Sequence, residues 1–350
     1  MRVTAEQLDD LMLGGTLYAS GGGRRMSATV VEWARELLAD GGAVTLVSAD
    51  ELPPDTLCVA VGMAGSAALF DELLPTGEEF VLAVRALEHD LRSKVGAILP
   101  LNTGGNNAVL PVSAARLLGL PLIDADGIGR TFSLLEGTVY RLGGVSPTPM
   151  VLAGAGGETA LVNAPIGRIE AIIRRLVLAY GGWAAVAMYP MTADTAARVA
   201  IQRSISRTLA AGRALRDAAT LSADTIASRV GGRRLVTGTV LSVTLHELRT
   251  DSAQPALPVS IVLEEHSDLH RVVRLEALND IAVALIDGEV AAAAPDSFCL
   301  LGLPSHHLLD IERVEVGMGV EVLVLPAAAQ WHTPEGRAIA GPSAYGFELA

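Results

Sequence analysis

Lysine, cysteine and long apolar runs are scarce or missing in this 350-residue chain, and each shortage excludes a class of function. Lys94 is the only lysine, so no lysine follows a glycine-rich loop as a Walker phosphate site requires, and a lysine Schiff base is disfavoured. Cys58 and Cys299 cannot build a disulfide scaffold or a four-thiolate zinc site. No apolar run approaches the roughly 20 residues that span a membrane, and no stretch typical of a signal peptide follows Met1.

The charge and composition of the chain limit its partners and its compartment. A formal net charge of −13 repels phosphate backbones and anionic membrane surfaces, so we expect neither a nucleic-acid nor a membrane partner. Two distant cysteines in apolar runs are typical of buried, reduced thiols, which indicates a soluble cytoplasmic protein. Half of the residues are hydrophobic but only 4% are aromatic, so small aliphatic residues fill the core. The apolar content is also compatible with a homo-oligomer interface.

Strands that alternate with helices predict an N-terminal α/β domain over residues 1–165, with a mostly parallel sheet. The predicted strands are 43–48, 57–61, 96–101, 120–125, 150–153 and 159–162. Helices are predicted to end near residues 18 and 40 and to cover 78–91 and 107–118. Short apolar runs between turn residues are the basis for the strands, and an apolar stripe at helical spacing is the basis for the helices.

Residues 166–350 are predicted to form a second, β-rich domain with a helical lead-in. The lead-in covers 166–230, with helices at 166–180 and 195–219 around a short strand at 183–188. The β-rich part covers 233–350, with predicted strands at 235–245, 259–263, 271–275, 281–286 and 320–325. Turn residues separate these runs, which favours an antiparallel sandwich or a barrel.

Polar loops follow neighbouring predicted strands of the first domain. Residues 102–107 follow strand 96–101, and Asp124–Arg130 begins at the end of strand 120–125, directly after its apolar residues Leu120–Ile123. Because nearly all crossover connections are right-handed, both loops are expected at the same carboxyl edge of the sheet. Open α/β sheets bind their ligands at that edge. Gly62–Ser66 is expected there too, and the small residues in these loops leave room for a compact ligand.

Three charged residues of the second loop are candidate catalytic residues. Asp124 and Asp126 are two residues apart at a strand end, so in an extended chain their carboxylates project to the same side. They are candidates for holding a divalent metal, or one of them has its pKa raised for acid–base catalysis. Arg130 is suited to bind a substrate carboxylate through two nitrogens. The alternative is structural, with Asp124 capping a turn and Arg130 paired with an aspartate.

Two glycine-rich segments are candidate anion sites because each precedes a helix, where backbone N–H groups can bind an anion or a developing oxyanion. The first consists of Asn102, Thr103, Gly104, Gly105, Asn106 and Asn107, and the second of Gly21, Gly22, Gly23 and Arg24. An ordinary helix start is the alternative for the first segment. The second follows a helix rather than a strand, so it is not a dinucleotide fingerprint. The sequence carries no nicotinamide, flavin or pyridoxal phosphate signature.

At these same residues the chain resembles the S-methyl-thiohydantoin desulfurase domain family, whose members are often encoded with or fused to hydantoinase or oxoprolinase subunits. The resemblance spans nearly the full length of the chain. It is carried by Gly21–Gly23, Gly104–Asn107, Leu118–Phe132, Pro295–Asp296 and Gly341–Phe347. The run Asp124–Phe132 is the most specific of these segments.

The resemblance implies an N-terminal α/β domain, a β-rich C-terminal domain and hydrolytic loss of sulfur from a five-membered cyclic ureide or thioureide ring. In that reaction Asp124 or Asp126 would act as general base or hold a metal that activates water. Arg130, or N–H groups near Gly104–Asn107, would stabilise the negative charge that develops on the ring. The resemblance also implies association with hydantoinase- or oxoprolinase-type subunits.

The chain departs from the family pattern at two of these segments. Arg24 and Arg25 follow the glycine loop, where the family usually continues with a glycine and an Asp-Pro or Asn-Pro pair. Asn102 stands where a glutamate usually precedes the Gly-Gly-x-Asn segment. Two functions therefore stay open: a hydrolase acting on a hydantoin- or thiohydantoin-like ring, and a non-catalytic subunit or ligand-binding protein of such a pathway. The retained Asp124, Asp126 and Arg130 favour the hydrolase, and the two departures favour the binding protein.

Overall fold

A computed structural model describes residues 1–19, 27–39, 41–66, 69, 72–132, 134–247, 258–278 and 280–349 of the chain. Within them, most strands belong to two eight-stranded sheets. The helices are α1 (Leu8–Leu17), α2 (Ala28–Leu37), α3 (Glu78–Leu91), α4 (Leu110–Leu118), α5 (Val139–Leu142), α6 (Ile169–Ala179), α7 (Ala193–Val199), α8 (Ser204–Leu215), α9 (Ala223–Arg229) and α10 (Pro334–Ala340). No helix in this described part has both the length and the apolar character that crossing a membrane requires.

The first sheet has parallel strands in its middle and antiparallel strands towards both ends. The first ten strands of the chain are β1 (Arg2–Thr4), β2 (Ala43–Val47), β3 (Leu57–Gly65), β4 (Ala97–Pro100), β5 (Leu122–Ile123), β6 (Ala125–Asp126), β7 (Met150–Ala153), β8 (Thr159–Val162), β9 (Trp183–Thr192) and β10 (Ile201–Gln202). The order in the sheet is β1-β2-β5-β4-β3-β9-β7-β8, and β6 pairs separately with β10. The pairs β2–β5, β5–β4 and β4–β3 are parallel. The predicted α/β class is confirmed, in a mixed sheet.

Strand β9 enters this sheet from beyond residue 165 and lies between β3 and β7, antiparallel to both. The sheet therefore contains chain from both sides of the predicted domain boundary. The single helix predicted over 195–219 is wrong: α7 ends at Val199, and α8 begins only at Ser204. Between them Ile201 and Gln202 pair with β6, and Arg203 takes a left-handed backbone conformation with φ of 60°. Tertiary pairing with β6 thus interrupts a stretch whose amino-acid composition favours a helix.

The second sheet is antiparallel and curls around one core. Its strands are β11 (Arg233–Leu245), β12 (Pro258–Glu265), β13 (Val272–Leu278), β14 (Asp280–Ile286), β15 (Glu289–Ala293), β16 (Ser297–Gly302), β17 (His307–Leu309) and β18 (Gly319–Leu325), in the order β15-β14-β13-β12-β11-β18-β16-β17. Four strands separate β14 from β16 in that order, yet Ile281 of β14 and Phe298 of β16 belong to one core cluster. The predicted β-rich C-terminal part is confirmed. Strands β15, β16 and β17 were not predicted, although β16 is a run of six buried residues.

Helices α1 and α8 pack closely and connect the two sheets. A Cβ atom on Gly14 would lie 1.9 Å from the carbonyl oxygen of Thr208, and one on Gly212 would lie 1.9 Å from that of Asp10. The two helix backbones are therefore in direct contact, which only glycine permits at these positions. Leu17 and Tyr18, at the end of α1, pack in one cluster with residues of β16 and β18. This packing holds the end of α1 and the start of α8 beside the carboxyl edge of the first sheet.

Candidate functional site

The loops after β4 and β5 meet at the carboxyl edge of the first sheet, as the strand pattern predicts. The Thr103 hydroxyl donates a hydrogen bond of 2.8 Å to Asp126 Oδ2, and the Gly127 N–H donates one of 3.1 Å to the carbonyl oxygen of Leu101. A Cβ atom on Gly104 would lie 2.3 Å from Thr131 Oγ1, so a residue without a side chain is needed there. The predicted segments 102–107 and 124–130 therefore pack together, and most of their residues are buried.

Asp126 is fully buried between these two segments, and hydrogen-bond donors surround its carboxylate. Oδ2 accepts from Thr103, and Oδ1 accepts from the Ser204 hydroxyl at 3.0 Å and from the N–H groups of Ile128 and Gly129 at 3.3 and 2.9 Å. Burial raises the pKa of Asp126, while the Arg207 guanidinium and these hydrogen bonds act in the opposite direction. Asp126 thus ties the loop after β5 to the loop after β4 and to the start of α8.

Asp124 points to a different part of α8. Its Oδ1 accepts a hydrogen bond of 3.0 Å from the Ser206 N–H, and its Oδ2 accepts one of 2.5 Å from the Ser206 hydroxyl. The Arg203 N–H also donates to the Asp124 carbonyl oxygen at 2.6 Å. Free N–H groups at a helix start favour a carboxylate, which is the capping role considered as the structural alternative.

The surroundings of Asp124 and Asp126 do not fit a metal site. Each carboxylate is bonded to hydroxyl and N–H donors, whereas a divalent cation needs several oxygen ligands directed at one point. Across the described part of the chain, no three His, Cys, Asp or Glu side chains lie close enough together to hold a metal ion. We therefore derive no catalytic step through a metal at these residues.

Replacing Asp126 with alanine is expected to lower the free energy of unfolding by about 3 kcal/mol, because buried hydroxyl and N–H donors lose their acceptor. Urea denaturation at neutral pH measures this change. Asp194→Ala is the matched control, since its side chain is 61% exposed and, among the described residues, pairs with Arg198 on the same helix. That variant should change the free energy by less than about 0.5 kcal/mol. Equal stability losses in the two variants would contradict a structural role for Asp126.

Arg130 lies at the other end of the loop, between the two domains. It is 7% exposed, and its Nη2 donates a hydrogen bond of 2.7 Å to the Tyr345 hydroxyl. The guanidinium also lies 5.7 Å from the centre of the Phe132 ring. Burial alone lowers the pKa of Arg130, but Tyr345, Asp280 and Asp296 raise it, and the net shift is upward. Arg130 is therefore a buried, charged group held by side chains from the C-terminal domain.

A small cavity beside Arg130 contains two buried polar atoms that have no hydrogen-bond partner among the residues described. They are Asp280 Oδ2 and Thr131 Oγ1. The cavity is lined by Tyr18, Arg130, Thr131, Asp280, Ile281, Ser297 and Phe298. Burial raises the pKa of Asp280 to about 6, and the nearby Arg130 limits the rise. A carboxyl group that titrates near neutral pH, a fixed positive charge and a free hydroxyl are the components of an acid–base site.

The amide side chains of the predicted anion loop hold neighbouring segments in place. Asn102 Oδ1 accepts a hydrogen bond of 3.0 Å from the Gly104 N–H. Asn106 Oδ1 accepts one of 2.9 Å from the Ser27 N–H, and Asn107 Oδ1 accepts one of 2.8 Å from the Met63 N–H. Residues Gly105–Ala108 form a short 3-10 turn, so α4 begins at Leu110 rather than at the predicted residue 107. The bond to Met63 also connects this loop to β3. The predicted loop Gly62–Ser66 is wrong, because Gly62–Gly65 continue β3 and pair with β9.

The predicted glycine loop, Gly21, Gly22, Gly23 and Arg24, lies outside the described residues. The described residues on either side of it are both at the candidate site. The Tyr18 carbonyl oxygen accepts a hydrogen bond of 3.0 Å from the Thr131 N–H, and Ser27 is bonded to Asn106 as described above.

Two family models match the chain over nearly its whole length. The model of the S-Me-THD-like N-terminal domain matches residues 6–164, and that of the S-Me-THD-like C-terminal domain matches residues 165–350. The chain belongs to the S-Me-THD-like family. The fold is shared with a crystal structure of a protein from Chromobacterium violaceum, with a TM-score of 0.74 and 23% sequence identity over 95% of this chain and 93% of that one. No curated protein matches the chain.

Segments that carry the family resemblance, far apart in sequence, meet around Arg130. The guanidinium is bonded to Tyr345 of the segment Gly341–Phe347, and Asp296 adds to its electrostatic environment. Arg130 itself belongs to the run Asp124–Phe132. In this S-Me-THD-like protein the segments that carry the resemblance therefore lie close together in space, at the contact between the two domains.

Sequence reasoning missed Asp280, Arg207 and Tyr18. Arg207 donates a hydrogen bond of 2.8 Å to the Gly129 carbonyl oxygen, and its guanidinium lies 4.8 Å from the centre of the Tyr18 ring. No local motif marks these residues. Asp280 stands at the start of an apolar strand, and only the curl of the second sheet brings it to Arg130. Tyr345, by contrast, lies in a segment that already carried the resemblance.

Proposed function

We propose that this S-Me-THD-like protein is a hydrolase that removes sulfur from a hydantoin- or thiohydantoin-like ring. In this proposal the ring binds at the mouth of the cavity beside Arg130, whose volume of about 10 Å³ has room for the attacking water. The observation that supports the proposal most directly is the buried Asp280 carboxyl, which has one oxygen without a partner in the described part of the chain and lies near a buried guanidinium. An unpaired buried polar atom costs stability, so a carboxyl oxygen without a partner is suited to bind a ligand atom or a water molecule.

The reaction on an S-methylated ring needs one water molecule and produces methanethiol. The ionised Asp280 carboxylate takes a proton from the water, while the water oxygen bonds to the ring carbon that carries sulfur. Negative charge then develops on a ring heteroatom, where the Arg130 guanidinium stabilises it. The carbon–sulfur bond breaks, and the proton held by Asp280 passes to the departing thiolate. The remaining hydroxyl proton moves to the ring nitrogen, so that a carbonyl group forms at that carbon. Asp280 returns to its ionised form.

The hydrogen bonds of Asp126 and Asp124 support positioning roles for these residues in the proposed reaction. Asp126 holds the loop that carries Arg130 against Thr103 and Ser204. Asp124 fixes the same loop to Ser206 at the start of α8. Neither carboxylate lines the cavity beside Arg130. A general base at Asp124 or Asp126 is the competing assignment, and it predicts a different set of inactive variants.

The test is thiol release by the purified protein from a panel of 2-thiohydantoins and their S-methylated analogues, with and without a chelator. We expect turnover of at least one S-methylated ring, unaffected by the chelator. Asp124→Asn and Asp126→Asn should keep more than about a tenth of the activity if they only position the loop. A loss of about 10³-fold in either variant, with the fold intact, would instead assign it as the base. No turnover of any ring by folded protein would contradict the hydrolase.

A second candidate function is a ring-binding, non-catalytic subunit that associates with a hydantoinase- or oxoprolinase-type enzyme. The observation that favours it is Asn102, which replaces the family's usual glutamate and whose side-chain oxygen is occupied by the Gly104 N–H. This function predicts that the same rings bind, as measured by calorimetry, without any release of thiol. Asn102→Glu is the variant that tests this function. If Asn102 is the reason that the wild type has no turnover, restoring the glutamate should produce turnover.

A further inference from the structure

A second cleft, with a volume of about 380 Å³, lies between the two domains and shares no lining residue with the cavity beside Arg130. It is formed where α1 and the end of α8 face the connection between β16 and β17. Its walls are largely apolar and include Met12, Leu13, Leu215 and Leu308. Pockets of about 300–1,000 Å³ with apolar walls and a few polar groups are typical of small-molecule sites.

The ionisable residues at this cleft are mainly arginine and histidine, although the whole chain has a net charge of −13. Arg216, Arg313, His306 and His307 line it, and among the described lining residues Asp310 alone is acidic. Arg216 is already paired with Asp10. The Arg313 guanidinium, by contrast, has no ion-pair or hydrogen-bond partner within the described ranges. A cation without a partner at the edge of an apolar cleft favours an anionic ligand.

Two histidines at the connection between β16 and β17 line the cleft: His306 ends the connection, and His307 begins β17. His306 has a φ of 52°, which few residues other than glycine adopt. In this conformation its side chain is only 14% exposed, and its Nδ1 lies 3.3 Å from the Ala218 carbonyl oxygen on the opposite wall. His307 Nδ1 is bonded to the Ser305 hydroxyl at 2.9 Å, and no described residue bonds to its Nε2.

We propose that this cleft binds a small monocarboxylate with an apolar body. The aliphatic walls take the chain or ring of the ligand, and Arg313 and His307 bind its carboxylate. A guanidinium presents two parallel N–H donors that match a carboxylate. One unpaired guanidinium suits a single negative charge better than the two charges of a phosphate monoester. This site is independent of the proposed hydrolase reaction.

The test is calorimetric titration of the full-length protein with octanoate, with octan-1-ol as the neutral probe of equal chain length. Octanoate should bind with one-to-one stoichiometry and the alcohol much more weakly. Arg313→Gln should weaken octanoate binding about tenfold, as expected for the loss of one charge-assisted contact. Ala219→Trp, at an exposed lining position, should fill the cleft and abolish binding.

Two control variants separate this site from the rest of the molecule. Arg175→Gln removes an equally exposed arginine on α6, away from the cleft, and should leave octanoate binding unchanged. Asp280→Asn changes the cavity beside Arg130 and should also leave it unchanged. Thermal denaturation midpoints confirm that each variant is folded. The proposal is overturned if wild-type protein binds no octanoate, if the alcohol binds equally well, or if both Arg313→Gln and Ala219→Trp bind as the wild type does.

Discussion

Replacing Arg130 with methionine is expected to reduce thiol release by about 10²–10³-fold and to lower the free energy of unfolding by about 3 kcal/mol. The activity falls because the guanidinium that stabilises the negative charge developing on the ring is removed. The stability falls because Arg130 is buried, so its removal leaves the Tyr345 hydroxyl without its donor and leaves Asp280 and Asp296 without a nearby positive charge. Steady-state kinetics and urea denaturation measure the two effects.

Two further variants show whether the charge or the geometry of Arg130 matters. Arg130→Lys keeps the positive charge but has a single nitrogen in place of the planar guanidinium, and it should recover part of the stability and little of the activity. Arg175→Met is the matched control, because that arginine is exposed on α6, and it should change neither quantity. If Arg130→Met kept wild-type turnover, the cavity beside it would not be the reaction site.

Asp280→Asn is expected to abolish turnover and to remove one pH dependence of both activity and stability. In the proposed reaction only the ionised carboxylate accepts the proton of water. Since the pKa of Asp280 is raised to about 6, kcat/KM of the wild type should fall as the pH decreases through 6. The asparagine cannot accept that proton, so the residual activity of the variant should be about 10³-fold lower and independent of this ionisation.

The same pKa determines the sign of the stability change. An aspartate in an unfolded chain has a pKa of about 3.9, so the folded protein binds this proton more tightly. The stabilisation of the folded protein by the proton on Asp280 is fully present below pH 4 and is lost as the pH rises through 6. The difference between these two pKa values corresponds to about 3 kcal/mol. Relative to the wild type, Asp280→Asn should therefore gain up to that amount of stability between pH 4 and 7.

Urea denaturation of both proteins at several pH values between 4 and 8 measures this difference. The comparison between wild type and variant isolates Asp280 from other groups whose pKa burial also raises, such as Asp126 and Glu170. Parallel stability curves for the two proteins would show that Asp280 has an ordinary pKa in the folded state. Activity that falls through pH 6 in the variant as well would assign the base to another group.

Much of the candidate site follows from the rule that open α/β sheets bind ligands at the carboxyl ends of their strands. Thr103 and Asp126 are bonded to each other because right-handed crossovers bring the carboxyl ends of β4 and β5 to one edge. What each aspartate does there did not follow from its position. An extended strand would direct the carboxylates of Asp124 and Asp126 to the same side, but the residues between β5 and α8 direct them to Ser206 and Ser204 instead.

The chain's own amino-acid sequence determined the alternation of strands and helices, the two-part α/β plus β class, the edge where polar loops collect and the family. These features depend on local periodicity, turn residues and short motifs, all of which a linear pattern contains. The tertiary structure alone decided that β9 completes the first sheet, that Ile201 and Gln202 interrupt a helical stretch, and that Asp280 and Tyr345 meet at Arg130. These contacts join residues up to 215 positions apart, and they depend on how the second sheet curls and packs on α1 and α8. The pairing of distant strands and the burial of a charge are properties of the packed chain, and no local pattern encodes them.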